Sequence, residues 1–191
     1  MNVSIIIPTK NRSLLLRKCL NRVVSQLRRG DEIIVVDNAS NDDTKNIIKD
    51  YVQKYSSITC LYEQKRGPSY ARNLGISYAK GNICAFLDDD CFVSSKWLQS
   101  IKKSFTNNSE KNIYQGKIDH IFPEENFLTQ IFYQKNKFVW RGIKITQQWK
   151  EGKYIDFINA GNFCVKTIFL KKLPYVFDEK LFPFIGEEKD L

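Results

Sequence analysis

The feature that most constrains this chain is a fourfold recurrence of a short apolar run followed by a longer stretch with apolar residues at helical spacing. Val3 to Ile7 and Glu32 to Val36 read as buried strands, and Ile58 to Tyr62 and Ile83 to Leu87 as a third and a fourth strand. Leu14 to Leu27 carries the first helical pattern, with Ser13 as its expected N-cap. Asn41-Asp42-Asp43-Thr44 supplies start signals for a second helix through Ile47, Ile48, Tyr51 and Val52. Gly67-Pro68-Ser69 breaks the chain before a third, running to about Ala79. Continuous apolar strands separated by helices need cover on both faces. The expected fold is therefore α/β, a mostly parallel central sheet with helices on both sides.

Beyond Leu87 the pattern loosens. A helix from Trp97 to Phe105 precedes an expected strand from Ile113 to Ile121, and an expected last strand near Phe163 to Val165 leads into a short helix around Ile168 to Leu173. Between them lies an aromatic stretch, Phe127 to Trp140, with Lys135, Lys137 and Arg141. Its helical spacing favours packing onto the sheet; peripheral contact with a membrane surface is the other reading. No internal repeat or low-complexity linker divides the 191 residues, so one domain, 1–191, is expected. No apolar run reaches the ~20 residues of a spanning helix, and the first residues lack the basic segment of a secretory signal. The cytoplasm, with the inner membrane face as its possible periphery, is the expected compartment. Five scattered cysteines and the single His120 argue against zinc or a disulfide framework. The net charge of +9 is spread along the chain. It reads as a solvated basic surface suited to a diphosphate-bearing substrate, with no nucleic acid partner expected.

In open parallel sheets ligands bind beyond the carboxyl ends of the strands. That rule points to Pro8 to Arg12, Asp37 to Ser40, and Asp88 to Asp90. Three successive carboxylates at the end of a buried strand repel one another unless something compensates. A divalent cation, Mn2+ or Mg2+, would do so, with substrate phosphates completing its shell; an acidic turn capping the next helix is the plainer alternative. Asp37 can accept hydrogen bonds from a nucleobase or ribose, or simply form a turn with Asn38-Ala39-Ser40. Arg72, early in the third helix, is placed either to meet a diphosphate or to pair with the aspartates. Neither Gly-x-Gly-x-x-Gly nor a Walker-type loop follows the first strand, which argues against NAD enzymes and P-loop NTPases.

Five segments together resemble family 2 glycosyltransferases. They are Ser4 to Arg12, Ile33 to Ser40, Ala71-Arg72-Asn73-Leu74-Gly75, Phe86-Leu87-Asp88-Asp89-Asp90, and Gly186-Glu187-Glu188-Lys189-Asp190-Leu191. The resemblance implies the GT-A fold, with residues 1–95 as the nucleotide-sugar binding part and 96–191 as the acceptor side. It implies an inverting transfer from a nucleotide-diphosphate donor, such as a UDP-sugar, to a saccharide or lipid-linked acceptor. Pro8, Thr9 and Arg12 would line the nucleotide pocket and Asp37 would read the base or ribose. Asp88 and Asp89 would hold the donor's nucleoside and sugar, and Asp90 would ligate the metal.

The family's general base is the acid after the glutamate of a Gly-Glu-Asp motif, a position held here by Glu188. That is a departure, because glutamate is one methylene longer than aspartate; Glu187 and Asp190 are its rivals, and an acid-rich helix start is the plain reading. The family usually continues past the point where Leu191 ends this sequence, so a truncated acceptor side and weakened activity are expected. Asn159-Ala160-Gly161-Asn162 occupies the place of an acceptor-side loop, or forms a simple turn. The rival functions are a metal-dependent nucleotidyltransferase, a non-catalytic nucleotide-sugar binder and a nucleic-acid binder.

Overall fold

A computed structural model gives the fold of residues 1–116, 161–173 and 176–179. The chain divides into two units, Met1–Gln115 with Ile158–Leu191, and Gly116–Phe157; the structure described below belongs to the first. In chain order its elements are β1 (Val3–Thr9), α1 (Ser13–Val24), β2 (Glu32–Asp37), α2 (Thr44–Lys54), β3 (Ile58–Tyr62), α3 (Pro68–Tyr78) and β4 (Ile83–Leu87). They continue with α4 (Trp97–Asn107), β5 (Ile113–Gln115), β6 (Asn162–Lys166) and α5 (Thr167–Leu170).

Among the described residues the strands form a single sheet in the order β3-β2-β1-β4-β6-β5. β1, β2, β3 and β4 run parallel, with Ile6 opposite Ile34 on one side and Phe86 on the other. β6 enters antiparallel to β4, and β5 antiparallel to β6. The parallel part follows from the helical crossovers, because a parallel pair cannot be joined by a hairpin.

Side chains of a strand alternate between faces, and the two cores follow that period. Val3, Ile5, Ile7, Ile33 and Val35 pack under Leu16, Leu20, Ile48, Leu98 and Phe105 of α1, α2 and α4. Ile6, Ile34, Val36 and Phe86 pack under Ala71 and Ile76 of α3 and Leu170 of α5. α3 lies close to the sheet because residue 75 is glycine: a Cβ there would meet Ile6 Cγ2 at 2.5 Å. β2 and β3 extend to one side of β1 and β4 lies on the other, so the strand order switches direction at β1. Crevices for ligands open at such a switch, here between the carboxyl ends of β1 and β4.

Two local expectations need correction. Ser13 is not the N-cap of α1 but its first residue; Arg12 is the cap and makes no side-chain capping bond. The Ser13 N–H is satisfied instead by Asp42 Oδ2, at 3.3 Å from the next loop. The helix at 168–173 starts one residue early and closes at Leu170, followed by turn. The expected strand from Ile113 ends at Gln115 within the described residues, and the remainder of that range, with the aromatic stretch, lies outside them. Among the described residues no helix is long and apolar enough to cross a membrane.

Candidate functional site

The site is built where β1 and β4 deliver their last residues to the switch-point crevice. Asp89, one turn beyond β4, is 3% exposed, and both of its oxygens are engaged. Thr9 Oγ1 donates to Asp89 Oδ2 at 2.7 Å, and Arg12 Nη1 donates to Asp89 Oδ1 at 3.2 Å. The same Arg12 nitrogen lies 3.3 Å from Asp90 Oδ2. One buried carboxylate thus ties the end of β1 to the end of β4, and the neighbouring one, half exposed, leans on the same guanidinium.

The third carboxylate is held from the opposite face of the sheet. Arg72 Nη2 donates to Asp88 Oδ1 at 2.8 Å. The pairing of Arg72 with the aspartates, one of its two compatible expected roles, is present. Its guanidinium sits over the Phe177 ring, 5.6 Å from the centroid, and its buried Nε has no hydrogen-bond partner among the described residues. Mutual repulsion of the three acids is therefore relieved by two arginines reaching in from α3 and from the start of α1.

Burial pushes the Asp89 carboxyl up from an ordinary 3.8 to about 6, although Thr9 and Arg12 pull the other way. A carboxyl raised on folding stabilises the fold fully below its unfolded value, and that contribution is lost as pH rises through the folded value. At about 1.4 kcal/mol per unit, the rise corresponds to on the order of 3 kcal/mol. Measured without nucleotide or metal, the unaltered chain is expected to lose about that much stability between pH 4 and pH 7 relative to Asp89→Asn. Parallel stability curves for the two proteins would contradict the assignment. Burial, followed by its negative neighbours, also raises the Cys19 thiol and pushes Cys91 up to about 12, so neither is a thiolate at neutral pH.

Asp37 ends β2 with 2% exposure, and its Oδ1 accepts the Ser40 N–H at 2.9 Å. It forms the turn that its sequence allows, helped by the positive φ of Ala39, 58°. It also borders a groove of about 440 Å³ shared with Lys45, Lys49, Cys60 and Tyr62. Pro8 is buried inside β1, opposite Val36. Gly161 O accepts from Asp88 N at 3.5 Å and from Cys91 Sγ at 3.5 Å, so the end of the expected acceptor-side loop braces the aspartate turn. Glu188, with Glu187 and Asp190, lies outside the described residues.

Sequence reasoning gave no site role to Asn11, Asn38 or Asp42, the residues that join the loops. Asn11 N donates to Ser40 Oγ at 3.0 Å and Asn11 Oδ1 accepts from Asn41 N at 2.8 Å. Asp42 accepts from Ser13 N and, through Oδ1 at 3.0 Å, from Thr44 N. Burial acts to raise the Asp42 carboxyl, but the hydrogen bonds from Thr44 and Ser13 outweigh it and hold the group below its ordinary value. The available signal was a run of short amide and acid side chains just past two strand ends.

No group of three or more acids, histidines and cysteines able to hold a metal converges among the described residues. Asp88 and Asp89 are committed to arginines, which leaves Asp90 as the exposed carboxylate of the triplet. One carboxylate with phosphate oxygens and water is an ordinary shell for Mg2+ or Mn2+, so the residues fit a cation that arrives with a diphosphate.

The fold is that of the GT-A class, as solved structures show. The chain superposes on a mannosyltransferase from Pyrobaculum calidifontis, solved in complex with GDP-Man and Mn2+, with a TM-score of 0.66 at 20% identity, covering 91% of this chain and 46% of that one. It superposes on residues 1–349 of S. aureus TarS in complex with UDP with a TM-score of 0.68 at 20% identity, covering 90% and 48%. The profile described as "Glycosyl transferase family 2" matches residues 4–169, and the chain belongs to that family. Among curated relatives it is 43% identical over 100 residues to glycosyltransferase AglE of Haloferax volcanii, 51% of this chain and 33% of the relative. It is 38% identical over 90 residues to the GalNAc(5)-diNAcBac-PP-undecaprenol beta-1,3-glucosyltransferase of Campylobacter jejuni, 46% of this chain and 29% of the relative. The matches thus span about a third of those relatives' length.

Proposed function

We propose that this chain is the single GT-A domain of an inverting glycosyltransferase that binds a nucleotide-diphosphate sugar, a UDP-sugar first among the candidates, and transfers the sugar to a saccharide or lipid-linked acceptor. The observation that carries the reading is the rim itself: three acids and two arginines from β1, α3 and β4 gathered at the switch-point crevice, with Asp37 at the end of the neighbouring strand. Pro8, Thr9, Arg12 and Asp37 form the nucleotide side of the site, and Arg72 sets the position of Asp88. Asp88 faces the donor, and Asp89, turned inward, holds Thr9 and Arg12 in place behind it. Asp90 ligates Mn2+ or Mg2+, which supplies Lewis-acid stabilisation of the departing diphosphate when bound. Glu188 is the proposed base that takes the acceptor's proton.

What supports the donor class is the family, together with neighbours solved with UDP and with GDP-Man. The lipid-linked or saccharide acceptor rests on the activity for which the Campylobacter relative is named. Work at the inner face of the membrane would follow from a lipid-linked acceptor.

Calorimetry with UDP and Mn2+ tests the reading. The unaltered chain is expected to bind only when both are present, and Asp90→Ala to weaken binding about tenfold or more, the effect of removing a carboxylate ligand. Equal affinity with and without metal, or an unchanged Asp90→Ala variant, would remove Asp90 from its role. Tight binding to duplex DNA with a steep salt dependence, and none to nucleotides, would overturn the function.

A further inference from the structure

The connection between β3 and α3, residues 63–67, leaves the same rim of the sheet and carries two adjacent cations, Lys65 and Arg66. Within it Glu63 Oε1 accepts the Lys65 N–H at 2.8 Å, and among the described residues one side chain from outside the connection hydrogen-bonds its backbone. Asn38 is 4% exposed, and its amide is used in full: Nδ2 donates to Glu63 O at 3.1 Å and to Lys65 O at 2.6 Å, while Oδ1 accepts the Gly67 N–H at 2.8 Å. Its own backbone N–H donates to Thr9 O at 2.8 Å, and Asp37 O accepts from Glu63 N at 2.9 Å. The ends of β1, β2 and β3 are thereby joined at a single residue.

We propose that Asn38 is a positioning residue for the donor: it fixes residues 63–67 so that Lys65 and Arg66 meet the nucleoside diphosphate. The inference rests on the donor reading above. Three observations carry it. A short amide pinned to three backbone groups of one loop sets that loop's path more tightly than packing alone, because each bond is directional and buried. Lys65 Nζ lies over the Tyr70 ring, 5.3 Å from its centroid, which links the loop to the first turn of α3. Gly67, with φ of 135°, adopts a backbone conformation closed to other residues, and the Asn38 bond falls on its N–H. Cations held in place before a ligand arrives bind it more tightly than cations that must be ordered on binding.

The test is titration of the full chain with UDP in the presence of Mn2+, using Asn38→Ala, Arg66→Ala and the double variant. Asn38→Ser, which keeps one donor and one acceptor, stands in should Asn38→Ala fail to fold. Asn38→Ala is expected to weaken UDP binding about tenfold, Arg66→Ala several-fold, and the double variant little more than Asn38→Ala alone, because a cation already misplaced is not lost twice. Strictly multiplicative losses, which a merely structural role would give, overturn the inference. So does a variant that binds UDP within about twofold of the unaltered chain. If the unaltered chain binds no nucleoside diphosphate, the donor reading falls and this inference with it.

Discussion

Phe86→Ala is expected to lower the unfolding free energy by about 3–5 kcal/mol, the range for removing a fully buried aromatic ring. Phe86 is completely buried in β4, the strand that delivers the aspartates. Its ring stacks on Phe163 of β6, centroids 4.5 Å apart and planes 12° from parallel, and meets Phe177 edge-on at 5.2 Å. Alanine removes the ring's burial, both aromatic contacts and the packing between two antiparallel neighbours, and the surrounding strands cannot close the space. Urea denaturation of the two proteins at one pH measures the loss. Phe86→Leu, which keeps most of the volume, is expected to cost under about 1.5 kcal/mol. A loss from Phe86→Ala below about 1 kcal/mol would mean that the three rings do not form the joint described.

Glu188→Gln is expected to reduce sugar transfer by a factor of about 10²–10⁴ while leaving UDP and metal affinity unchanged, the mark of a lost general base. An acceptor hydroxyl attacking an anomeric carbon must give up its proton, and the carboxylates at the β4 rim are already committed: Asp88 and Asp89 to arginines, Asp90 beside Arg12. The proposal therefore takes the base from another part of the chain, at Glu188, the position that the resemblance implies. Steady-state transfer assays with matched nucleotide titrations decide the point. If Asp190→Asn abolishes turnover and Glu188→Gln does not, the base is Asp190.

The parallel half of the sheet was legible because each strand is apolar on both faces and each crossover has a helical period. β2, β3 and β4 lie within a residue of where their apolar runs place them. β1 runs on through Pro8 to Thr9, past the apolar run, because it pairs with β2 as far as Asp37. The antiparallel entry of β6 beside β4 was not legible: Phe163 to Val165 reads as a strand, but its direction depends on a partner almost eighty residues earlier. Composition alone also hid the caps. Ser13 has the right chemistry for an N-cap, yet it is the first residue of the helix, and Asp42 accepts its N–H from another loop. At the site, the rule about strand ends pointed to Thr9, Arg12 and the aspartate triplet, which hydrogen bonds join, and to Asp37, which closes its own turn with Ser40. Which acid pairs with which arginine depends on burial, and Asp89 turns inward while Asp90 does not.

Asp42 has a mechanical consequence. Because this single carboxylate finishes the first turns of both α1 and α2, and Asn11 ties the same two loops together, the first two connections of the sheet act as one stiff plate. A ligand that pushes on either connection must displace both helices at once, so the lip of the crevice formed by the ends of β1 and β2 offers little induced fit. Accommodation of differently sized sugars then falls to parts of the chain that this plate does not carry.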